Sequence, residues 1–190
     1  DEDVIHNMGR VDPIRDAEVI MTELVLADAE SVASQLQKNL KKARGNDKDA
    51  EANVALLERL VPHLDEGKPA NLLEMDEDER TRLKAFFLLS GKPMLYACNL
   101  KEEEIADPGT NPLFEPFKKW ADSQQDANCC CISAKMEEEL SELSDEDAKE
   151  YLEAMGVEDS GVTSLIEASY ELLGLASFLT AGEKEARAWT

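Results

Sequence analysis

Asn99 and Glu102 stand three residues apart, directly after the apolar run Met94-Leu95-Tyr96-Ala97-Cys98. Ser133, Ala134 and Lys135 follow a second apolar run, Cys129-Cys130-Cys131-Ile132. An amide, a carboxylate, a hydroxyl and an ammonium in two such loops can donate to and accept from a polar ligand. A plainer reading of the same residues is that Asn99 caps a turn and Glu102 begins a helix. The spacing recurs at Asn71–Glu74, where no strand precedes it and a loop is expected. The strand before Asn99 and the second strand and loop after it favour the Asn99 copy.

These groups need a sheet to hold them. Met94–Cys98 is short enough to be one strand, buried on both faces of a parallel sheet. Asn99 and Glu102 would then sit past its carboxyl end, the edge where open α/β sheets bind ligands. A helix over about Leu113–Gln125 joins this strand to the cysteine strand. Met136–Leu143 and Asp145–Met155 follow as two acidic helices, with Ser144 and Asp147 as a capping box. Ser160 or Thr163 opens a last helix. Alternating strands and helices from Met94 onward imply a parallel sheet with crossover helices.

The first third reads differently. Asp3-Val4-Ile5-His6 resembles the exit of a strand, and Pro13 or Ile14 starts a helix that runs to about Arg44. Its stripe Val25, Ala29, Val32, Leu36, Leu40, Ala43 keeps one face apolar. Gly45-Asn46-Asp47 breaks the helix, and Ala50, Val54, Leu57, Val61, Leu64 step by the 4 and 3 of a coiled-coil seam. An antiparallel hairpin follows, with Pro62 expected to kink or end its second helix. Glu77–Leu89 is a further helix with Leu83, Phe86, Phe87 and Leu89 as core. Five of the chain's 20 Lys and Arg residues, Lys38, Lys41, Lys42, Arg44 and Lys48, gather at the hairpin tip. A basic tip suits RNA phosphates; ordinary i,i+4 pairing and favourable charge at a helix end explain it equally simply.

Composition narrows the classes. A formal charge of −22 over 190 residues argues against broad nucleic-acid coating, DNA included, and against an anionic membrane surface. No apolar run approaches the roughly 20 residues that span a bilayer. Four cysteines, three of them adjacent, form neither a disulfide framework nor a Cys-x-x-Cys metal pattern, since neighbours on a strand face opposite ways. Buried thiols in a reducing cytoplasm are expected, with no metal site. His6 and His63 lie far apart, so a hydrolase triad is not indicated.

The chain resembles the YchF/Obg-like ATPase family, which belongs to the P-loop NTPases. The resemblance is carried by Val11-Asp12-Pro13-Ile14, Glu18-Val19-Ile20 and Thr22-Glu23-Leu24, which lead into the arm. Lys92-Pro93 with its strand and Asn99-x-x-Glu102 continue it, as do Ser133-Ala134-Lys135 and Glu137-x-Glu139-Leu140. Gly161, Tyr170-x-Leu172-Leu173-Gly174-Leu175 and the closing Phe178-Leu179-Thr180-Ala181-Gly182-x-x-Glu185-x-Arg187-Ala188-Trp189 complete it. GTPase-like members of the fold grip guanine with Asn-Lys-x-Asp and Ser-Ala-Lys loops, and here the first loop is altered.

That resemblance implies an α/β fold, part of a Ras-like parallel-sheet P-loop NTPase domain with an inserted antiparallel helical arm. Residues 1–13 and 70–177 would be the partial NTPase domain, 14–69 the arm, and 178–190 the first strand of a TGS domain. It implies ATP as ligand, GTP more weakly, Mg2+ in the complete protein, and action on or near ribosomes and their RNA. Asn99, Leu100 and Glu102 would meet the base, with Ser133, Ala134 and Lys135 closing the other side. No Gly-x-x-x-x-Gly-Lys-Ser/Thr occurs in these 190 residues, so an internal fragment without hydrolysis of its own is expected. The rival readings are a GTP-preferring GTPase and a non-catalytic arm that docks on ribosome, RNA or protein.

Overall fold

The computed structural model describes residues 11–182 and 185–190; the reading of Asp3–His6 as a strand exit falls outside them. The chain forms two compact units, one of residues Asp12–Lys92 and one that contains Pro93–Thr190.

In the first unit, helix α1 spans Pro13–Ala43 and α2 spans Lys48–Asp65. Pro13 fits the first turn of α1, where its missing N–H costs nothing, and Asp12 accepts from the Arg15 amide at 3.3 Å. Asp47 caps α2 by accepting from Asp49 and Ala50, both at 3.1 Å. The hairpin forms as expected, and its seam on α2 keeps Ala50, Leu57 and Leu64 but is wider than expected. Leu56, Leu57, Leu60 and Leu64 are buried, while Val54 and Val61 are half-buried. On α1 the buried positions are Val25, Asp28 and Val32, with Ala29 and Leu36 packed beside them. Near the turn Asn39 and Asn53 meet across the hairpin, the Asn53 amide donating to Asn39 Oδ1 at 3.3 Å. Polar residues thus occupy seam positions that an apolar-only pattern passes over.

Pro62 neither ends nor breaks α2, which runs three residues past it to Asp65. An internal proline costs about 3 kcal/mol, and burying one leucine returns about 1.5–3. Leu60 and Leu64, both buried, flank the proline and offset it.

Helix α3 spans Glu77–Ala85, four residues shorter than expected. Phe86 caps it and Phe87 adopts φ 54°, a left-handed conformation that turns the chain. Leu83, Phe86 and Leu88 consequently point into the core, while Phe87 and Leu89 are exposed. The loop is tied down by Asp28, whose buried carboxylate accepts from the Leu89 amide, the Ser90 amide and the Ser90 hydroxyl at 2.7, 2.7 and 2.6 Å. Ser90 Oγ in turn accepts from the Ala70 amide at 3.0 Å. A buried carboxylate with three donors is satisfied, which is why Asp28 can sit in a helix seam.

The second unit is mixed α/β. Strands β1 (Met94–Asn99) and β2 (Ala127–Ile132) pair in parallel, from Met94 opposite Ala127 to Asn99 opposite Ile132. Between them lie the short helix α4 (Glu102–Ile105) and α5 (Phe114–Asp122). Tyr96 packs edge-on against Phe117 and Trp120, with ring centroids 5.4 and 5.5 Å away, fixing α5 on the sheet. Burial on both faces is not what β1 shows. Met94–Tyr96 and Cys98 are half-buried and Ala97 is exposed, because the helices cover chiefly β2, whose Cys130 is buried.

Helices α6 (Ala134–Ser141), α7 (Asp145–Met155) and α8 (Gly161–Leu172) follow. Ser144 caps α7 by accepting from the Asp147 amide at 3.3 Å, but its hydroxyl bonds the Asp147 carboxylate at 2.7 Å. That is half of a capping box, since the aspartate is too short to return to the Ser144 amide. The closing stretch, expected to hold one strand, forms two, β3 (Phe178–Ala181) and β4 (Ala186–Trp189), paired antiparallel.

Candidate nucleotide-base site

Parallel pairing brings the two candidate loops to one sheet edge, because Asn99 and Ile132 end their strands in register. The Leu100 amide donates to the Ile132 carbonyl at 2.8 Å, extending the ladder by one bond. Leu100 itself is buried and Asn99 exposed. The Asn99 side chain crosses to the second loop, where its Oδ1 accepts from the Ala134 amide at 2.9 Å. One side chain therefore sets the spacing between both loops.

Ser133 is buried and caps α6, its Oγ facing the Met136 amide at 3.5 Å. Ala134 and Lys135 are exposed at the helix start. Glu102 opens α4, as the plainer reading held, and reaches the second loop. Its Oε1 lies 2.8 Å from Lys135 Nζ. Lys135 also faces Glu139 on its own helix at 3.9 Å. The hydrogen bond and charge of Glu102 hold the Lys135 ammonium above the usual lysine range. The Lys101 amide donates to Glu104 Oε2 at 3.1 Å and so caps α4.

The six expected residues thus lie on two adjoining loops, joined by the Asn99–Ala134 and Glu102–Lys135 contacts, with Leu100 and Ser133 buried. Two further residues lie outside that expectation. Tyr151 on α7 donates to Glu139 Oε2 at 2.8 Å, and that bond pushes its hydroxyl up to about 12. Glu137 accepts from the Gly161 amide at 2.6 Å and joins α6 to α8. The i,i+4 spacing of Lys135 and Glu139 is readable in the sequence; the partners from α7 and α8 have no local signal.

The cysteines are all free. Burial pushes the Cys98 thiol up to about 12 and Cys131 up to about 11. Thiols held so far above neutral pH are poor nucleophiles. Among the described residues no cluster of His, Cys, Asp or Glu could hold a metal ion, and no helix is long and apolar enough to cross a membrane.

The basic residues occupy the hairpin end. Lys38, Lys41 and Lys42 lie on the last turns of α1, Arg44 caps it, and Lys48 begins α2; all five are exposed.

No family model matches the chain. Among curated proteins, a Bacillus subtilis relative named ribosome-binding ATPase YchF is 40% identical over 190 residues, covering 100% of this chain and 52% of the relative. A relative of the same name from Escherichia coli O157:H7 is 34% identical over 189 residues, covering 51% of its length. Among solved structures, the Schizosaccharomyces pombe YchF GTPase superposes with a TM-score of 0.77 at 29% identity, covering 100% of this chain and 51% of that one. The chain spans about half the length of the relatives it matches. The α/β fold with its helical hairpin is the fold of that half, and along its whole length the chain is similar to proteins named YchF.

Proposed function

We propose that this chain supplies the base-reading half of a nucleotide site in a P-loop NTPase that prefers ATP to GTP. The observation that carries the reading is the Asn99–Ala134 bond, which joins two loops at the carboxyl ends of two parallel strands. With the Leu100 amide committed to Ile132, its carbonyl is the backbone group suited to adenine, where it would accept from the N6 amino group. A second base edge would meet the Asn99 amide, and the loop from Ser133 to Lys135 would close the site. Guanine wants a carboxylate at N1–H and N2–H2; Glu102 instead faces Lys135. One missing or misplaced hydrogen bond to the base is worth about 1–3 kcal/mol, roughly 5- to 150-fold in preference.

The phosphates and Mg2+ require a glycine-rich loop with its lysine and hydroxyl. These 190 residues contain none, so hydrolysis of ATP is proposed for the complete gene product and not for these residues by themselves. The related proteins are named for ribosome binding, and the exposed basic hairpin end, residues 38–48, suits ribosomal RNA in the cytoplasm. We assign residues 14–69 to the arm, 1–13 and 70–177 to the NTPase domain, and 178–190 to the start of a TGS domain. Residues 70–92 pack on the arm's own core, through Ala70, Leu83, Phe86 and Leu88.

The test is base preference in the complete gene product. Leu100→Lys with Glu102→Asp moves the first loop part of the way to the guanine pattern, since Lys101 remains between them. Preference should shift toward GTP by less than about 100-fold. Unchanged ATP and GTP dissociation constants would remove the loop from the base site.

A further inference from the structure

Four groups from three helices form one connected polar chain beside the base site. Glu102 at the start of α4 meets Lys135 on α6 at 2.8 Å. Lys135 meets Glu139 at 3.9 Å, and Glu139 accepts from the Tyr151 hydroxyl of α7 at 2.8 Å. Glu102 is the more enclosed end, its side chain 21% exposed against 69% for Lys135. An enclosed carboxylate beside a base edge is the group that guanine recognition needs. Here a cation already faces it.

We infer that Lys135 is a specificity-determining residue: it occupies the Glu102 carboxylate and denies it to guanine, while Glu139 and Tyr151 act as positioning residues that hold Lys135 in that place. The inference rests on the base-site reading above and names how that site rejects one base. Glu102 is one methylene longer than the aspartate of a guanine loop and so is better able to reach a neighbouring side chain. Without Lys135 the Oε1 oxygen is released beside Oε2, and a guanine N1–H and N2–H2 could donate to the pair. Tyr151 fixes one oxygen of Glu139 and leaves the other for the ammonium. That leaves Lys135 between two carboxylates from different helices.

The experiment measures dissociation constants of fluorescent ATP and GTP analogues for the complete gene product and its variants. In Lys135→Met the GTP-to-ATP ratio of dissociation constants should fall by about 2- to 5-fold, the range of an exposed ion pair. Tyr151→Phe should move the ratio the same way by less. In a Glu102→Gln background, Lys135→Met should cause no further change, because the carboxylate it would release is gone. A ratio unmoved by Lys135→Met, or a shift that persists in the Glu102→Gln background, overturns the inference. If Lys135→Met does not fold, as judged by circular dichroism, Tyr151→Phe decides by the same ratio. Wild-type protein that binds neither nucleotide overturns the base-site reading and this inference together. Binding that weakens in Asn99→Ala yet keeps its ratio in Lys135→Met overturns this inference alone.

Discussion

At the scale of single residues, Gly161 shows how tightly the site is backed. A Cβ there would lie 3.0 Å from Ile132 Cα and 3.0 Å from Glu137 Oε1. Ile132 ends the strand that carries the second candidate loop, and Glu137 bonds the Gly161 amide. Gly161→Ala should push α8 away from that strand end and cost about 1–3 kcal/mol, the usual range for overpacking. A lower urea midpoint is the expected reading, and an unchanged midpoint would show that the neighbours can relax. The glycine stands out in the sequence only as part of the family resemblance. Asn99, Glu102 and Lys135 were legible because strand endings and loop spacing place them. Which of them touch was not, since Asn99 bonds Ala134 from 35 residues away. Tyr151 belongs to a helix with no motif of its own.

At the scale of elements, capping chemistry and periodicity located the helices well, and packing decided the rest. Asp12, Asp47, Ser144 and Ser160 all cap where their type predicts. The end of α3 was misplaced because a phenylalanine took a left-handed φ that side chains rarely adopt. On α2 Leu56 and Leu60 join the expected Ala50, Leu57 and Leu64 in the buried face, and Asn53, beside the expected Val54, is tied to Asn39 across the hairpin and to Arg82. The strands carry a pH prediction. Burial raises Cys98 to about 12 and Cys131 to about 11, above the ordinary 9.0. The unfolded chain therefore releases those protons first. Their contribution to stability is full below pH 9 and is lost as pH rises toward 11–12. Urea midpoints should fall between about pH 9 and about pH 11, and Cys98→Ala with Cys131→Ala should flatten that fall. An equal fall in the double variant would place the cause elsewhere.

At the scale of the whole molecule, charge is distributed against its average. A chain of net −22 collects Lys38, Lys41, Lys42, Arg44 and Lys48 at one exposed hairpin end. Changing Lys38, Lys41, Lys42 and Lys48 to Glu in the complete gene product should weaken ribosome association. It should also flatten the salt dependence by about one unit of slope for each phosphate no longer neutralised. Association that sediments unchanged at every salt concentration would leave the tip as a solvated helix end. In the other unit two strand ends and one amide side chain set the spacing of the proposed base site. Its most direct measurement is the equilibrium affinity of the complete gene product for ATP with Asn99→Ala. Removing the bond that joins the two loops, together with the amide proposed to meet the base, should weaken ATP binding by at least about 10-fold. An affinity equal to that of the unaltered protein would contradict the account.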